Sequence, residues 1–372
     1  MDKHIIIFEH DIQKYPPVLY LINYLISIGK DIEVFSGTTD EELLTNLQSK
    51  GVKFNNIINN DIYANKLKKI NVLRKFKSTV LDYMSSQDPD NVTLWMFGES
   101  CIWLIGELVY KFKSILYLFE IPNFSIKVRY KILSPKLNYQ SVLQSAFKIV
   151  CCEYNRAHIT RAYFNLEVLP TIIPNKPYLI EETDSLKVSS LLGDVRDKKI
   201  ILYQGIFNYP ERKMENLCES INYLPENFIV CLMGSENDYK KKLEKTYKSD
   251  RIRFIPYIKA PLHLEITKQA YIGYLTYSPE VGNIKNVLNT LFCAPNKIFE
   301  YSKFKIPMLS NDVPALKYIF TNYGAGEVFK SSPQDIAEMI LKIDQHYNEY
   351  SLGSESLFES VNLEHLYQSL IE

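Results

Sequence analysis

Residues 294–301, APNKIFEY, combine residue types that suit the binding of an anion. Pro295 favours the first turn of a helix, so the unpaired backbone N–H groups of that turn are expected near Asn296 and Lys297. The positive end of a helix attracts negative charge, and the Lys297 ammonium adds a point charge there. We therefore predict that Asn296 and Lys297 bind a phosphate or a diphosphate.

Glu300 follows Lys297 by three residues, so the two side chains share one face of the predicted helix. An ionised carboxylate only accepts hydrogen bonds, and it can accept both hydroxyl protons of a ribose. The spacing therefore suits a nucleoside diphosphate whose phosphates lie at Lys297 and whose ribose lies at Glu300. The alternative is an ordinary i, i+3 surface ion pair on a capped helix.

Further candidates follow other predicted strands in this half of the chain. The strand KIILYQG ends at Gly205, and Arg212 and Lys213 come before the next helix. A guanidinium can form two parallel hydrogen bonds to a diphosphate, although both residues also fit a solvated first turn. Tyr257 follows another strand and is expected either to flank a nucleotide base or to pack against the protein. The three lysines at 240–242 are interpreted as a solvated helix face.

In the first half of the chain, His10 and Glu120 are the candidate catalytic residues. His10 follows the strand HIIIFE, where Glu9, His10 and Asp11 are expected to be exposed, and it could orient an acceptor hydroxyl. Glu120 ends the strand SILYLFE and is a candidate general base or acceptor-binding carboxylate. The alternatives are a satisfied polar loop residue for His10 and a helix cap or ion pair for Glu120. Glu99 is a weaker candidate of the same kind.

The elements that must position these residues form two series of short apolar strands alternating with amphipathic helices. This alternation predicts two doubly wound, Rossmann-like α/β domains that face a central cleft. We assign residues 1–178 to an acceptor-binding domain and 179–355 to a donor-binding domain, with a polar linker between the strand series. Residues 356–372 are expected to form a helix that could cross back to the first domain. The 372 residues are consistent with two domains.

The composition and the absence of certain motifs exclude several classes of function. There are 43 basic and 43 acidic residues, so no global charge attracts nucleic acid. The six cysteines have neither CxxC spacing nor neighbouring histidines, which favours core thiols over a metal site. No GxGxxG motif follows a predicted strand, which disfavours a nicotinamide dehydrogenase. Neither a signal peptide nor a membrane span is indicated, so we predict a cytoplasmic protein.

Residues 61–80 place apolar side chains three or four positions apart, with lysines and an arginine between them. Such a helix can lie on an anionic membrane, where lipid-linked acceptors are found. Packing of the apolar side in the core, with a solvated basic side, is the equal alternative. Basic and apolar residues at 125–136 favour peripheral contact with the inner face of the plasma membrane.

Several segments together resemble a known family. YQG with the following arginine, CLMG, RFIPYI, IGYLTY, the run 288–316 around PNKIFEY, and GAGEVF are similar to the donor domain of GT-B glycosyltransferases of family 4, of the bacterial surface-polysaccharide type. In the first half, LPTIIPNKP resembles the family segment before the interdomain linker. The resemblance implies that Glu300 binds ribose, that Arg212 binds phosphate, and that Asn296 and Lys297 lie beside the diphosphate. It also implies retention of anomeric configuration.

Three positions depart from the family pattern. Phe292 stands where the EX7E motif has its first carboxylate, Lys305 where many relatives have glycine, and Pro16 with Pro17 where they often have a glycine pair. The sugar and the acceptor therefore cannot be transferred from the family.

The resulting prediction is a hexosyltransferase. It moves a hexosyl or N-acetylhexosaminyl unit from a nucleotide sugar, UDP- or GDP-linked, to a glycan or lipid-linked acceptor in capsule, O-antigen or exopolysaccharide assembly. Because cationic side chains neutralise the diphosphate, no metal is required. The alternatives are a nucleotide-sugar 2-epimerase of the same fold and a non-catalytic partner subunit.

Overall fold

The computed structural model describes residues 3–57, 66–123, 127–178, 185–195, 197–279 and 282–372. The chain divides into two compact units. The first unit comprises Met1–Leu179 and Asn362–Glu372, and the second comprises Ile180–Val361. Within the described ranges, no helix is both long and apolar enough to cross a membrane.

The described part of the first unit contains a seven-stranded parallel sheet in the order β3-β2-β1-β4-β5-β6-β7. Its strands are β1 (Lys3–Asp11), β2 (Asp31–Gly37), β3 (Lys53–Asn56), β4 (Val92–Phe97), β5 (Lys113–Leu118), β6 (Lys148–Cys151) and β7 (Thr171–Ile172). Ile5, Ile6 and Ile7 are all fully buried, as expected for a central strand with both faces covered. The strand order reverses direction between β1 and β4.

The helices of the first unit alternate with these strands. They are α1 (Pro16–Ser27), α2 (Glu41–Ser49), α3 (Lys66–Ser85), α4 (Gly98–Ile105), α5 (Val128–Leu133), α6 (Tyr139–Ser145) and α7 (Tyr154–Phe164). Pro16 and Pro17 occupy the first turn of α1, where a missing N–H costs nothing.

Helix α3 covers most of the predicted membrane-binding segment. Leu73, Phe76 and Val80 lie on its apolar side and are buried in the core of the first unit. For these three residues the structure agrees with the alternative of core packing, which removes them from the surface. Residues 61–65 of the predicted segment lie outside the described residues.

The described part of the second unit contains a six-stranded parallel sheet in the order β10-β9-β8-β11-β12-β13. Its strands are β8 (Lys199–Gln204), β9 (Phe228–Met233), β10 (Ile252–Ile255), β11 (Ile272–Leu275), β12 (Met308–Asn311) and β13 (Gly326–Phe329). Its helices are α8 (Leu186–Ser189), α9 (Glu215–Ser220), α10 (Asp238–Tyr247), α11 (Leu264–Thr267), α12 (Ile284–Leu291), α13 (Lys297–Lys303), α14 (Pro314–Tyr323), α15 (Pro333–Gln345) and α16 (Tyr347–Glu359). This is the strand order of a dinucleotide-binding domain, and it reverses between β8 and β11.

The end of the chain differs from the predicted single helix at 356–372. Helix α16 continues through residue 356 within the second unit, and a separate helix, α17 (Leu363–Ile371), belongs to the first unit. A new helix begins there because the Asn362 side chain accepts a hydrogen bond from the backbone N–H of His365 at 3.1 Å. Tyr367 of α17 packs on Tyr24 of α1, with 5.1 Å between ring centroids.

Candidate functional site

Two glycines bring backbone segments together where the sheet of the second unit reverses its strand order. Gly205 follows β8 with a φ of +152°. A Cβ on Gly205 would lie 2.8 Å from Cε of Lys297, and a Cβ on Gly234 would overlap the carbonyl oxygen of Gly205. The ends of β8 and β9 can therefore approach each other and Lys297 only because both positions lack a side chain.

Helix α13 positions Lys297 and Glu300. Its buried side includes Tyr301, whose hydroxyl donates a hydrogen bond to the carbonyl oxygen of Leu202 in β8 at 2.9 Å. Gly273 of β11 leaves room for the Tyr301 ring, since a Cβ there would overlap it. With Tyr301 anchored to the sheet, the half-buried Lys297 and Glu300 lie together at its carboxyl edge.

Lys297 and Arg212 border one cavity of about 80 Å³, which is also lined by Tyr203, Ile206, Leu275, Thr276 and Tyr277. The Arg212 guanidinium lies 3.9 Å from the centre of the Tyr277 ring and donates a hydrogen bond to the carbonyl oxygen of Glu211 at 3.2 Å. These contacts fix one face and one edge of the guanidinium. Two cations beside a small cavity at a strand-order reversal suit a diphosphate.

The environment of Lys297 opposes its positive charge. Burial lowers the pKa of Lys297, and the charge of Arg212 lowers it further, against the opposing effect of Glu300. No described residue forms a hydrogen bond or an ion pair with the Lys297 ammonium. A buried cation of this kind gains stability when an anionic ligand binds beside it.

Glu300 is ionised and held from two sides. Its Oε2 accepts a hydrogen bond from Gln204 Nε2 at 2.6 Å, and its Oε1 lies 3.5 Å from Nε2 of His263. Burial favours the neutral carboxyl, but the contact with His263, the charge of Lys297 and the Gln204 bond together hold the pKa of Glu300 below its ordinary value. The carboxylate is therefore an acceptor for hydroxyl donors of a ligand.

A second cavity of about 180 Å³ adjoins the first and contains Glu300 and Lys297 in its lining. Its other lining residues are Gln204, Gly205, Ile206, Met233, Gly234, Ser235, Tyr257, Ile258 and His263. Tyr257 is 64% exposed, so its ring is free to lie against a ligand. A cavity several times larger than a water molecule, with an aromatic ring at one side and a carboxylate at another, suits a nucleoside.

Lys240 holds one wall of this second cavity, contrary to the prediction that it lies on a solvated helix face. Its side chain is buried, and Nζ donates to the carbonyl oxygens of Gly234 and Ile255, each at 2.9 Å, and to Glu236 at 2.6 Å. The ammonium therefore ties the ends of β9 and β10 together. The sequence did not indicate this role, because Lys240 is the first of three consecutive lysines and turns inward from an otherwise polar helix.

The predicted anion site at the start of α13 needs correction. The helix begins at Lys297 rather than Pro295, and the N–H groups of Phe299 and Glu300 already bond to the carbonyl oxygen of Asn296 at 2.9 and 3.1 Å. The predicted binding of an anion by the N–H groups near Asn296 and Lys297 stays a prediction. Asn296 borders neither cavity, and neither does Lys213, although both were predicted to bind the donor.

The candidates in the first unit occupy different environments from those expected. His10 lies within β1 and stacks on Tyr15, with Nε2 3.2 Å from Glu9 Oε1. Glu9 and Asp11 are 1% and 8% exposed, so the prediction that they are exposed is wrong: β1 extends through both and packs them inside. Glu120 is exposed, two residues beyond β5. The catalytic roles of His10 and Glu120 stay predictions.

Glu99 has a structural contact that accounts for it. It accepts hydrogen bonds from the Asn123 backbone N–H at 2.9 Å and from Asn123 Nδ2 at 2.7 Å. These bonds fix the chain after β5.

Sequence reasoning missed three polar residues that contact Glu300 directly or through a neighbour. Gln204 is the last residue of β8 and is 3% exposed, His263 precedes α11, and Thr267 ends α11 and is fully buried. A polar residue at the end of an apolar strand, directly before a glycine, is the signal that could have identified Gln204.

No protein-family model and no curated protein matches the chain. Solved structures do match it, at low sequence identity. HepE from Anabaena in complex with UDP and glucose is 11% identical with a TM-score of 0.64, covering 100% of this chain and 98% of that one.

Two further structures show the range of activities on this fold. WaaG, described as a glycosyltransferase involved in lipopolysaccharide biosynthesis, is 11% identical with a TM-score of 0.60 and 98% of each chain covered. A UDP-N-acetylglucosamine 2-epimerase is 11% identical with a TM-score of 0.65, covering 100% of this chain and 94% of that one. The chain therefore has the α/β fold of GT-B proteins, with two parallel sheets and alternating helices, which confirms the predicted fold class.

Proposed function

We propose that the chain is a retaining glycosyltransferase of family 4. It transfers a hexosyl or N-acetylhexosaminyl unit from a UDP- or GDP-linked sugar to a hydroxyl of a glycan or lipid-linked acceptor. One observation carries the proposal: Arg212, Lys297 and Glu300 converge on two adjoining cavities at the carboxyl edge of the second unit's sheet. In this proposal the diphosphate occupies the first cavity and the nucleoside the second.

The transfer breaks the bond between the anomeric carbon and the β-phosphate oxygen, and negative charge grows on the departing diphosphate. Arg212 and Lys297 stabilise that charge, which is where electrostatic catalysis has its largest effect. Because two cations are present, the proposal requires no metal. The anomeric carbon bonds to the acceptor oxygen, and the acceptor proton leaves to a base, for which His10 and Glu120 are the candidates.

A place in bacterial capsule, O-antigen or exopolysaccharide assembly is the finer part of the proposal, with the protein cytoplasmic and peripheral at the membrane. It is supported by helix α5, where Val128 and Ile132 are 73% and 55% exposed beside the exposed Lys127 and Lys131. Exposed apolar groups flanked by lysines suit an anionic bilayer. Co-sedimentation with anionic vesicles, lost in a Val128→Asp, Ile132→Asp double variant, is the expected result.

The similarity to a UDP-N-acetylglucosamine 2-epimerase over the whole chain favours a second candidate, a nucleotide-sugar 2-epimerase. An epimerase uses the same kind of donor pocket, but it inverts C2 of the sugar within the sugar nucleotide itself. It therefore needs no acceptor.

A single experiment tests the proposal against both alternatives. The protein is incubated with UDP- and GDP-sugars, with and without a bacterial membrane extract as the acceptor source, and the sugar nucleotide and its products are quantified. Release of nucleoside diphosphate that depends on the extract supports transfer. Conversion of the sugar nucleotide without extract supports the epimerase, and loss of neither donor supports a non-catalytic subunit. Arg212→Ala should abolish the turnover, whereas the adjacent Lys213→Ala should retain it.

A further inference from the structure

A chain of buried hydrogen bonds lies behind Glu300. Thr267 Oγ1 is 2.7 Å from Gln204 Oε1, and Gln204 Nε2 is 2.6 Å from Glu300 Oε2. Gln204 is 3% exposed and Thr267 is fully buried, so water does not compete for these bonds. The three side chains come from β8, α11 and α13, and the bonds therefore tie three separate elements to the carboxylate.

The direction of each bond in this chain is determined. An ionised carboxylate only accepts, so the Gln204 atom that faces Glu300 must be the amide nitrogen. The Gln204 carbonyl oxygen then faces Thr267, whose hydroxyl must donate to it. If the amide were turned over, its oxygen would face the carboxylate oxygen at hydrogen-bond distance, and both buried oxygens would lose a donor.

The consequence for Glu300 is a fixed orientation. Gln204 occupies one lone pair of Oε2, and His263 lies beside Oε1 at 3.5 Å. The remaining lone pairs are available on the side of the second cavity, which Glu300 lines. A carboxylate held in this way can receive two hydroxyl groups at fixed positions, and it loses a donor when a ligand lacks one of them.

We infer that Gln204 and Thr267 are positioning residues that make the site select a ribonucleoside diphosphate sugar over its 2′-deoxyribonucleoside counterpart. The inference rests on the proposed function, because it places a ribose at Glu300. It goes further by assigning the orientation of that carboxylate, and with it the preference for ribose, to Gln204 and Thr267. A ligand without the 2′-hydroxyl leaves a buried carboxylate lone pair unpaired, whereas the ribonucleotide satisfies it.

The test is calorimetric titration of the full-length protein with UDP, GDP and ADP, each beside its 2′-deoxy form. For the nucleotide that binds best, the ribonucleotide should bind at least about tenfold more tightly than the deoxynucleotide, since a hydrogen bond to a charged group has about that effect. In Gln204→Met and in Thr267→Val, the ribonucleotide should weaken until the two affinities agree within about twofold.

The control is Gln269→Met, which removes an amide that donates to the carbonyl oxygen of Glu265 at 2.9 Å and borders neither cavity. It should retain the ribose preference. A purely structural role of Gln204 would weaken both nucleotides equally and leave their ratio unchanged, which would overturn the inference. Thr267→Val is nearly isosteric, so it remains informative if Gln204→Met fails to fold.

Failure of the inference and failure of the proposed function give different results. A wild-type protein that binds ribo- and deoxynucleotide equally overturns the inference and leaves the nucleotide site in place. A wild-type protein that binds no nucleotide overturns both.

Discussion

The sheets of the two units reverse strand order in the same way, but the polar residues at the reversal differ. In the second unit, the Glu300 carboxylate receives a hydrogen bond from Gln204 and lies beside His263. In the first unit, the Glu9 carboxylate near the end of β1 is 1% exposed, and so more buried than the half-buried Glu300, yet no described residue donates a hydrogen bond to either of its oxygens. The second unit therefore holds its carboxylate with a hydrogen bond, whereas in the first unit His10, the neighbour of Glu9, stacks on Tyr15.

The difference is one of preorganisation rather than of residue type. Both regions contain a carboxylate with a histidine beside it, at 3.5 Å for Glu300 and at 3.2 Å for Glu9. In the second unit, Arg212 and Lys297 add two cations on an adjoining cavity. The proposed nucleotide site therefore depends on the residues that surround the carboxylate as well as on the carboxylate itself.

The largest expected effect on nucleotide affinity comes from removing a cation of the second unit. Arg212→Ala should weaken binding of a nucleoside diphosphate by about 100-fold, because a charge-assisted hydrogen bond to phosphate is lost. Titration calorimetry measures the change. Lys213→Ala removes a neighbouring charge that borders neither cavity, and Glu9→Gln removes the carboxylate of the first unit. Each should change the affinity by less than about twofold, and an effect as large as that of Arg212→Ala would refute the assignment.

A somewhat smaller effect is expected from the backbone of the site. Gly205→Ala places a methyl group 2.8 Å from Cε of Lys297 and should weaken diphosphate binding by about 30-fold. Gly51→Ala is the matched control, because Gly51 also has a positive φ, +85°, and nothing lies within 4 Å of its Cβ position. Both variants should lose about 1 kcal/mol of unfolding free energy, but only Gly205→Ala should lose nucleotide affinity.

The pH dependence of binding sharpens the role of Lys297. Since burial and Arg212 lower its pKa, the ammonium loses its proton below the ordinary lysine value of about 10.4, and diphosphate affinity should fall as pH rises through that lowered pKa. Lys297→Arg keeps its charge, so its affinity relative to wild type should rise with pH by up to about tenfold. Titrations of both proteins between about pH 7 and pH 10 measure the ratio of the two affinities. Protonation changes of the nucleotide base affect both affinities equally and cancel in this ratio. A constant ratio would contradict the account.

The smallest expected effect is a change in the unfolding free energy that leaves nucleotide affinity unchanged. Lys305 has a φ of +57°, a left-handed conformation that costs a non-glycine residue about 1 kcal/mol. Lys305→Gly should therefore raise the unfolding free energy by up to about 1 kcal/mol, reduced by loss of the surface ion pair with Glu355. Chemical denaturation measures this change. Nucleotide affinity should stay the same, since Lys305 borders neither cavity.

The sequence predicts the α/β fold because strand and helix periodicities are local properties of the chain. It also identifies Arg212, Lys297 and Glu300 as candidates, since their types and spacing suit a nucleoside diphosphate. The burial of Lys240 and Glu9 is not predictable in this way. Each depends on where a neighbouring strand ends, which the local pattern of charges does not contain.

The residues that orient Glu300 illustrate the same limit. Gln204 and Thr267 are 63 positions apart, and only the pairing of β8 with the helices around it brings their side chains within 2.7 Å. The predicted helix start at Pro295 was wrong by two residues, since the helix begins at Lys297 with Asn296 as its N-cap. Pro295 correctly indicated a helix in this segment, but it did not determine which residue caps the helix.

The most direct test of the nucleotide site is the thermal stability of the protein with UDP, GDP, ADP, CMP and TDP, in wild type, Glu300→Ala and Arg212→Ala. The account predicts that a nucleoside diphosphate raises the midpoint of unfolding of the wild type and that both substitutions reduce this shift, since a ligand that binds only the folded state stabilises it. A wild type that no nucleotide stabilises, or a shift that both variants retain in full, would contradict the account.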